Sequence, residues 1–150
     1  SEFSYEDMEK RHLEDYNYKI IKQSVTYQGR DCWVIEGTPN AERSKKSNYS
    51  KSVTWIDKER LIGLKTMLYD RQGKREKRLT TRKVKLIDNI WVGTVLNINN
   101  LQTKRMSTLV TQALAFNIKV DDNFLTQRTL TDGSYRENRL QGYREYLHNK

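Results

Sequence analysis

Few side chains in this sequence combine a reactive type with a spacing that could do chemistry. The one cysteine, Cys32, sits in the strand-like run Cys32-Trp33-Val34-Ile35 with no adjacent histidine or cation to lower its pKa, which makes it a buried structural thiol rather than a nucleophile. A single thiol also excludes an internal disulfide and a cysteine-based zinc cage. His12 falls on a helical apolar stripe and His148 near the end of the chain, neither with ligand partners at short spacing. Glu36, Asp57 and Asp70 could pair across strands, but acids at strand ends serve mainly as turn formers or salt-bridge partners. Glycines occur singly, without a Walker or dinucleotide fingerprint. The expectation is a non-enzyme with no catalytic residue, no metal and no cofactor.

The densest charge is basic. The formal net charge is +9, and Arg71, Lys74, Arg75, Lys77, Arg78, Arg82, Lys83 and Lys85 crowd one hairpin against Glu76. Such a patch suits the phosphates of nucleic acid or of anionic lipid head groups. It also suits a solvated hairpin edge kept from pairing with other chains, and that is the preferred reading. No recognition-helix pattern, zinc-finger spacing or aromatic-rich RNA-binding signature accompanies it, so no nucleic-acid partner is expected.

Strands must position these residues. Hydrophobic residues make up 35% of the 150 and charged residues 31%, so much of the apolar bulk falls to three Trp and nine Tyr, which favour strands. From Tyr18 to Phe116 the period is two, broken at Gln28-Gly29-Arg30, Pro39-Asn40, Asp57-Lys58-Glu59-Arg60, Gln72-Gly73, Asp88-Asn89 and Asn99-Asn100. That pattern predicts seven strands in a curved antiparallel meander. Tyr49, Val53 and Trp55 share a face with Lys51; Leu64 and Leu68 share one with Ile62, opposite Leu61, Lys65, Met67 and Tyr69. Ile90, Val92, Leu96 and Ile98 alternate in the same way, as do Val110, Leu114, Phe116 and Ile118.

Helices are expected at the two ends. Ser4-x-x-Asp7 reads as a capping box, Phe3 and Met8 as a staple, and Tyr5, Met8, His12 and Tyr16 recur at helical intervals. The segment 131–150 carries Tyr135, Leu140, Tyr143 and Leu147 at helical spacing and either docks as a helix or remains a loose tail. Length predicts a single domain over 1–150. No stretch approaches the ~20 apolar residues of a membrane span, and no apolar signal-peptide core opens the sequence, which as given reads as soluble and untargeted.

An ordered set of short motifs carries a resemblance. Phe3-Ser4-Tyr5-Glu6-Asp7-Met8, Glu14-Asp15-Tyr16, Tyr27-x-Gly29, the strand from Val34 to Pro39 and Tyr49-x-Lys51-x-Val53-x-Trp55-Ile56-Asp57-Lys58 come first. Lys65, Tyr69-Asp70-x-x-Gly73-Lys74, Asn100-x-Gln102-Thr103, Asp121-Asp122-x-Phe124 and Arg128-x-Leu130 follow. From about Phe3 to Leu130 this order resembles the LolA-like outer-membrane lipoprotein-sorting proteins. The resemblance implies a periplasmic protein with an unclosed β-barrel whose concave apolar face, covered by helices, shelters acyl chains of lipoproteins or other lipids. It implies service to a membrane transporter, and it identifies this chain with the C-terminal portion, the signal peptide and an N-terminal half being expected in the full-length protein.

The expected apolar lining is Val53, Trp55, Leu64, Leu68, Val92, Leu96, Leu114 and Phe116, each of which could equally be plain core. Trp33 and Trp91 cannot be given a face without the register. An incomplete barrel exposes a strand edge and predicts a homo-oligomer. The alternative to a lipid carrier is a non-enzymatic envelope module that binds protein on the same sheet. An apolar groove open to solvent favours the carrier and a filled core favours the module.

Overall fold

A computed structural model gives the structure of residues 1–148; the side chain of His148 and residues 149–150, to which the reading of the tail extended, lie outside the described residues. Seven antiparallel strands lie side by side in the order in which they follow in sequence, in one sheet that does not close. They are β1 (Tyr16–Tyr27), β2 (Arg30–Pro39), β3 (Tyr49–Asp57), β4 (Gly63–Asp70), β5 (Arg75–Ile87), β6 (Ile90–Asn100) and β7 (Arg105–Val110). Two of the tight connections use left-handed residues as paired central positions, Gln28 with Gly29 (φ 50° and 70°) and Asp88 with Asn89 (φ 48° and 62°). That backbone matches the right-handed twist of the flanking strands, which is why these dipeptides reverse the chain so sharply. The expected mainly β antiparallel meander is the architecture found.

Two faces follow from the register, because directly paired residues on neighbouring strands point the same way. One face carries the rows Lys22, Val34, Trp55, Lys65, Thr80 and Lys19, Glu36, Val53, Met67, Arg78. Here Val34, Val53 and Met67 form a buried cluster with Val25, Trp55 and Tyr69 packed against it. The opposite face carries the rows Ile20, Ile35, Thr54, Thr66, Leu79 and Tyr18, Gly37, Ser52, Leu68, Lys77.

Three local expectations are corrected. The N-terminal helix α1 spans only Tyr5–Met8; its capping box is present, but Glu9 is already extended and a short 3-10 turn at Leu13–Asp15 leads into β1. Asp7 bonds to the sheet from within the helix, and Arg11 does so from the extended link that follows it. A second helix, α2 (Ala41–Lys46), was not anticipated. Its signals are nonetheless present: Asn40 caps the Arg43 amide, Glu42 lies in the first turn, and Arg43, Lys45 and Lys46 lie in the last. Finally, β7 stops at Val110, so Leu114, Phe116 and Ile118 form no strand. The Phe116 amide donates to the Asp88 carboxylate at 3.2 Å and Asn117 is left-handed (φ 54°), which ends the extended pattern.

The chain forms two compact units, Ser1–Leu86 with Trp91–Val110 and Ile87–Ile90 with Thr111–Lys150. The second holds α3 (Gln127–Thr131) and α4 (Gly133–His148). The tail therefore forms a helix, and its predicted stripe, Tyr135, Leu140, Tyr143 and Leu147, is half-buried. Phe124 meets the Tyr143 ring edge-on at 5.6 Å, and Arg128 stacks on Tyr135 at 4.4 Å.

Candidate lipid-binding groove

A half-open groove of about 340 Å³ lies on the Ile35 face of the sheet. Tyr18, Ile35, Gly37, Ser52, Thr54 and Ile56 supply its floor and sides, and Arg11 and Leu13 its rim. Alternation on β1, β2 and β3 brings these residues to one side, and the lining is predominantly apolar. Gly37 is required by close approach: a Cβ there would meet the Tyr18 ring at 3.1 Å and the Ser52 hydroxyl at 3.2 Å. Without a side chain at that position, the ring can lie across β2. Arg11 donates to the Ser52 hydroxyl at 3.1 Å and sits 5.6 Å from the centre of the Tyr16 ring, placing one cation at the mouth of an otherwise apolar recess.

The N-terminal segment that carries this rim is fastened to the sheet by buried polar contacts. Asp7, with a side chain inaccessible to solvent, accepts from the Lys77 ammonium at 2.8 Å, the Tyr49 hydroxyl at 2.8 Å and the Ser4 amide at 2.8 Å. Burial alone would raise the Asp7 pKa, but the bonds from Lys77, Ser4 and Tyr49 outweigh it and hold the carboxyl below its ordinary value. Burial pushes the Tyr49 phenol up to about 12. Farther along, the Glu2 amide donates to Ser107 on β7 at 2.9 Å, so the segment reaches from β7 to β3.

The expected lining residues are not brought together. Val53 and Trp55 belong to the packed cluster on the other face. Leu64 and Leu68 point to the groove's face but are fully buried and do not line the groove. Half-buried Val92 and Leu96 lie on β6, while Leu114 and Phe116 lie in irregular chain of the second unit. The residues that do line the groove had a signal in sequence, the alternation of Ile35 with Gly37 and of Thr54 with Ile56, but it identifies a face only once the register is known. Cys32 is buried and its thiol is held above its ordinary pKa by burial, with Asp57 and Asp31 adding to the effect. Among the described residues, no group of three or more His, Cys, Asp or Glu could hold a metal ion, and no helix is long and apolar enough to cross a membrane.

Several of the short motifs turn out to be joints between distant pieces of chain. Asp7 of the first motif bonds to Tyr49 of another. Asp70 accepts from the Gln72 and Lys74 amides of its own turn and from the Gln102 side chain at 2.8 Å, while Asn100 caps the amides of Gln102 and Thr103. A family model that carries the description "Uncharacterized protein" matches residues 1–132. An outer membrane lipoprotein-sorting protein domain from Vibrio parahaemolyticus, 33% identical, superposes with a TM-score of 0.76 over 87% of this chain and 54% of that one. This chain belongs to the LolA-like family. A DUF1329 family protein from Desulfovibrio piger gives the same TM-score at 25% identity, over 87% of this chain and 53% of that one. A LolA superfamily protein from Nitrosomonas europaea, 17% identical with a TM-score of 0.61 over 77% and 50%, shares the fold. The LolA-like chain thus spans about half the length of the solved structures it matches. No curated protein matches it.

Proposed function

We propose that this chain is part of a periplasmic, non-enzymatic carrier that shelters acyl chains of lipoproteins or other lipids on their way to the outer membrane. The observation that carries the reading is the half-open apolar groove rimmed by Leu13 and Arg11 on a LolA-like sheet. Moving an acyl chain from water onto such a surface is favourable by about 0.8 kcal/mol per buried methylene and needs no covalent step. A small sheet-bound recess offers contact to part of one chain, so loading and release fall to the rest of the protein and to a partner, a membrane transporter in the simplest scheme. The 33% identical Vibrio protein, described as a lipoprotein-sorting domain, supports this reading by similarity.

The test is displacement of a fluorescent fatty acid from the delipidated chain. Leu13 is 75% exposed, so Leu13→Asp leaves the core intact while placing a charge at the rim. It is expected to weaken binding about tenfold, the equivalent of losing one well-buried leucine contact. Leu125→Asp, equally exposed in the second unit, is expected to change nothing. Retained affinity in Leu13→Asp, together with lipid-free organic extracts of the full-length protein by mass spectrometry, would refute the carrier reading. It would favour the envelope interaction module, for which the exposed edge strand β1 is the surface at hand.

A further inference from the structure

We propose that the face of the sheet opposite the groove holds a binding site for a phosphate-class anion, built by Lys65 of β4 with Arg78 and Arg75 of β5. Pairing sets Lys65 between Trp55 and Thr80, Met67 opposite Arg78, and Tyr69 opposite Arg75. Lys65 and Arg78 therefore stand one pair apart on adjacent strands of the same face, a diagonal that long side chains span. The Lys65 ammonium lies 3.9 Å from the centre of the Trp55 ring and 5.4 Å from that of Tyr27. Aromatic faces steady a cation without neutralising it, and they leave its N–H donors available.

Three acids of this unit are engaged elsewhere. Glu36 pairs with Lys51 at 2.8 Å, Asp57 with Arg30 at 2.8 Å, and Asp7 with Lys77 on the opposite face. Glu76 sits in the irregularity of the β4–β5 pairing, in the field of Lys77, Asp70, Asp7 and Glu6. Among the described residues no carboxylate forms an ion pair with Lys65, Arg75 or Arg78. Half-burial, with repulsion from Arg78 and Arg75 added to it, holds the Lys65 ammonium below the ordinary lysine range. An anion relieves that repulsion. The exposed Arg78 fork diagonal to the Lys65 ammonium, with exposed Arg75 a further pair along the same face, matches a group with several acceptor oxygens and more than one negative charge, as in a phosphate or a phospholipid head group.

The experiment has two arms, with tryptophan emission as one readout because Lys65 covers Trp55. Inorganic phosphate is titrated into the 150-residue chain, and flotation is measured with phosphatidylcholine vesicles with and without phosphatidylglycerol. Saturable binding in the first arm assigns the site to free phosphate. Binding confined to phosphatidylglycerol vesicles assigns it to a lipid head group. In either case Lys65→Met and exposed Arg78→Gln are expected to weaken binding about tenfold, the loss of one charge-assisted contact. Lys85→Gln, which removes the same net charge from an exposed position of the hairpin, is expected to leave it unchanged. Silence in both arms, or equal weakening in all three variants, would overturn the proposal. Tighter binding of a single-stranded oligonucleotide with the same dependence on Lys65 would replace it with a nucleic-acid surface.

Discussion

Asp7 and Asp57 are two buried carboxylates that the fold holds below their ordinary pKa. Asp7 is enclosed by Lys77, Tyr49 and the Ser4 amide, and Asp57 by the Arg30 guanidinium and the amides of Glu59 and Arg60. For Asp57 the largest influence is the Arg30 bond, which lowers its pKa; for Asp7 burial works upward and is outweighed by its partners. A carboxyl depressed in the folded state stabilises fully above its unfolded value and loses that contribution as pH falls through the folded one. Unfolding free energy should therefore hold steady from neutrality down to pH 3.8 and decline below it. Urea melts across that range check the expectation, and an unchanged midpoint well below pH 3.8 would contradict it. Arg43 serves as a further joint, contacting Glu9, Tyr16 and Glu6, and its bond to Glu9 raises its pKa further still.

At the scale of elements, the N-terminal segment depends on the sheet more than on its own helicity. Four helical residues form too little structure to persist alone, since the first turn of a helix fixes several residues for a single bond. The capping box of Ser4 and Asp7 closes the turn, but the Asp7–Lys77 pair, 0% and 8% exposed, ties it to β5. Lys77→Met would leave a buried carboxylate without its partner, and a loss of about 3–5 kcal/mol is expected from such a break. Combining it with Asp7→Asn should recover part of that loss, because the stranded charge is then gone. Hydrogen exchange of the Glu2 and Arg11 region separates local detachment from global loss: detachment predicts faster exchange there while β2 to β4 stay protected. Uniform acceleration across the sheet would show instead that the pair supports the whole unit.

For the molecule as a whole, the sheet ends in two edges. β1 exposes Tyr18 at 47%, Ile20 at 47% and Ile21 at 42%, and β7 exposes Met106 and Val110. Two irregularities in the β1–β2 pairing, between Ile20 and Lys22 and between Lys22 and Val25, distort β1, and such bulges discourage further pairing. Apolar exposure nevertheless leads us to expect concentration-dependent association of this chain. Light scattering coupled to size exclusion should give a mass above 17.9 kDa at high concentration, and Ile20→Lys should return it to the monomer value. A monomer mass throughout would remove the edge as an interface.

Sequence alone determined the elements whose causes are local. The strand count, the turns at Gln28-Gly29 and Asp88-Asn89 and the Ser4 to Asp7 capping box all follow from period, backbone preference or a side chain bonding a few residues away, whereas the tail stayed open between a docked helix and a loose end. The ordered motifs also carried the family, because they are joints such as Asp7 with Tyr49 and Asp70 with Gln102 that this fold requires. Tertiary structure decided which strand faces coincide. Val53 and Leu64 both read as apolar positions of alternating strands, yet pairing of Val53 with Met67 sends them to opposite sides. A one-residue change of register exchanges the two faces at no cost visible in either strand by itself, so the groove of Tyr18, Ile35 and Ile56 exists only once three strands have paired.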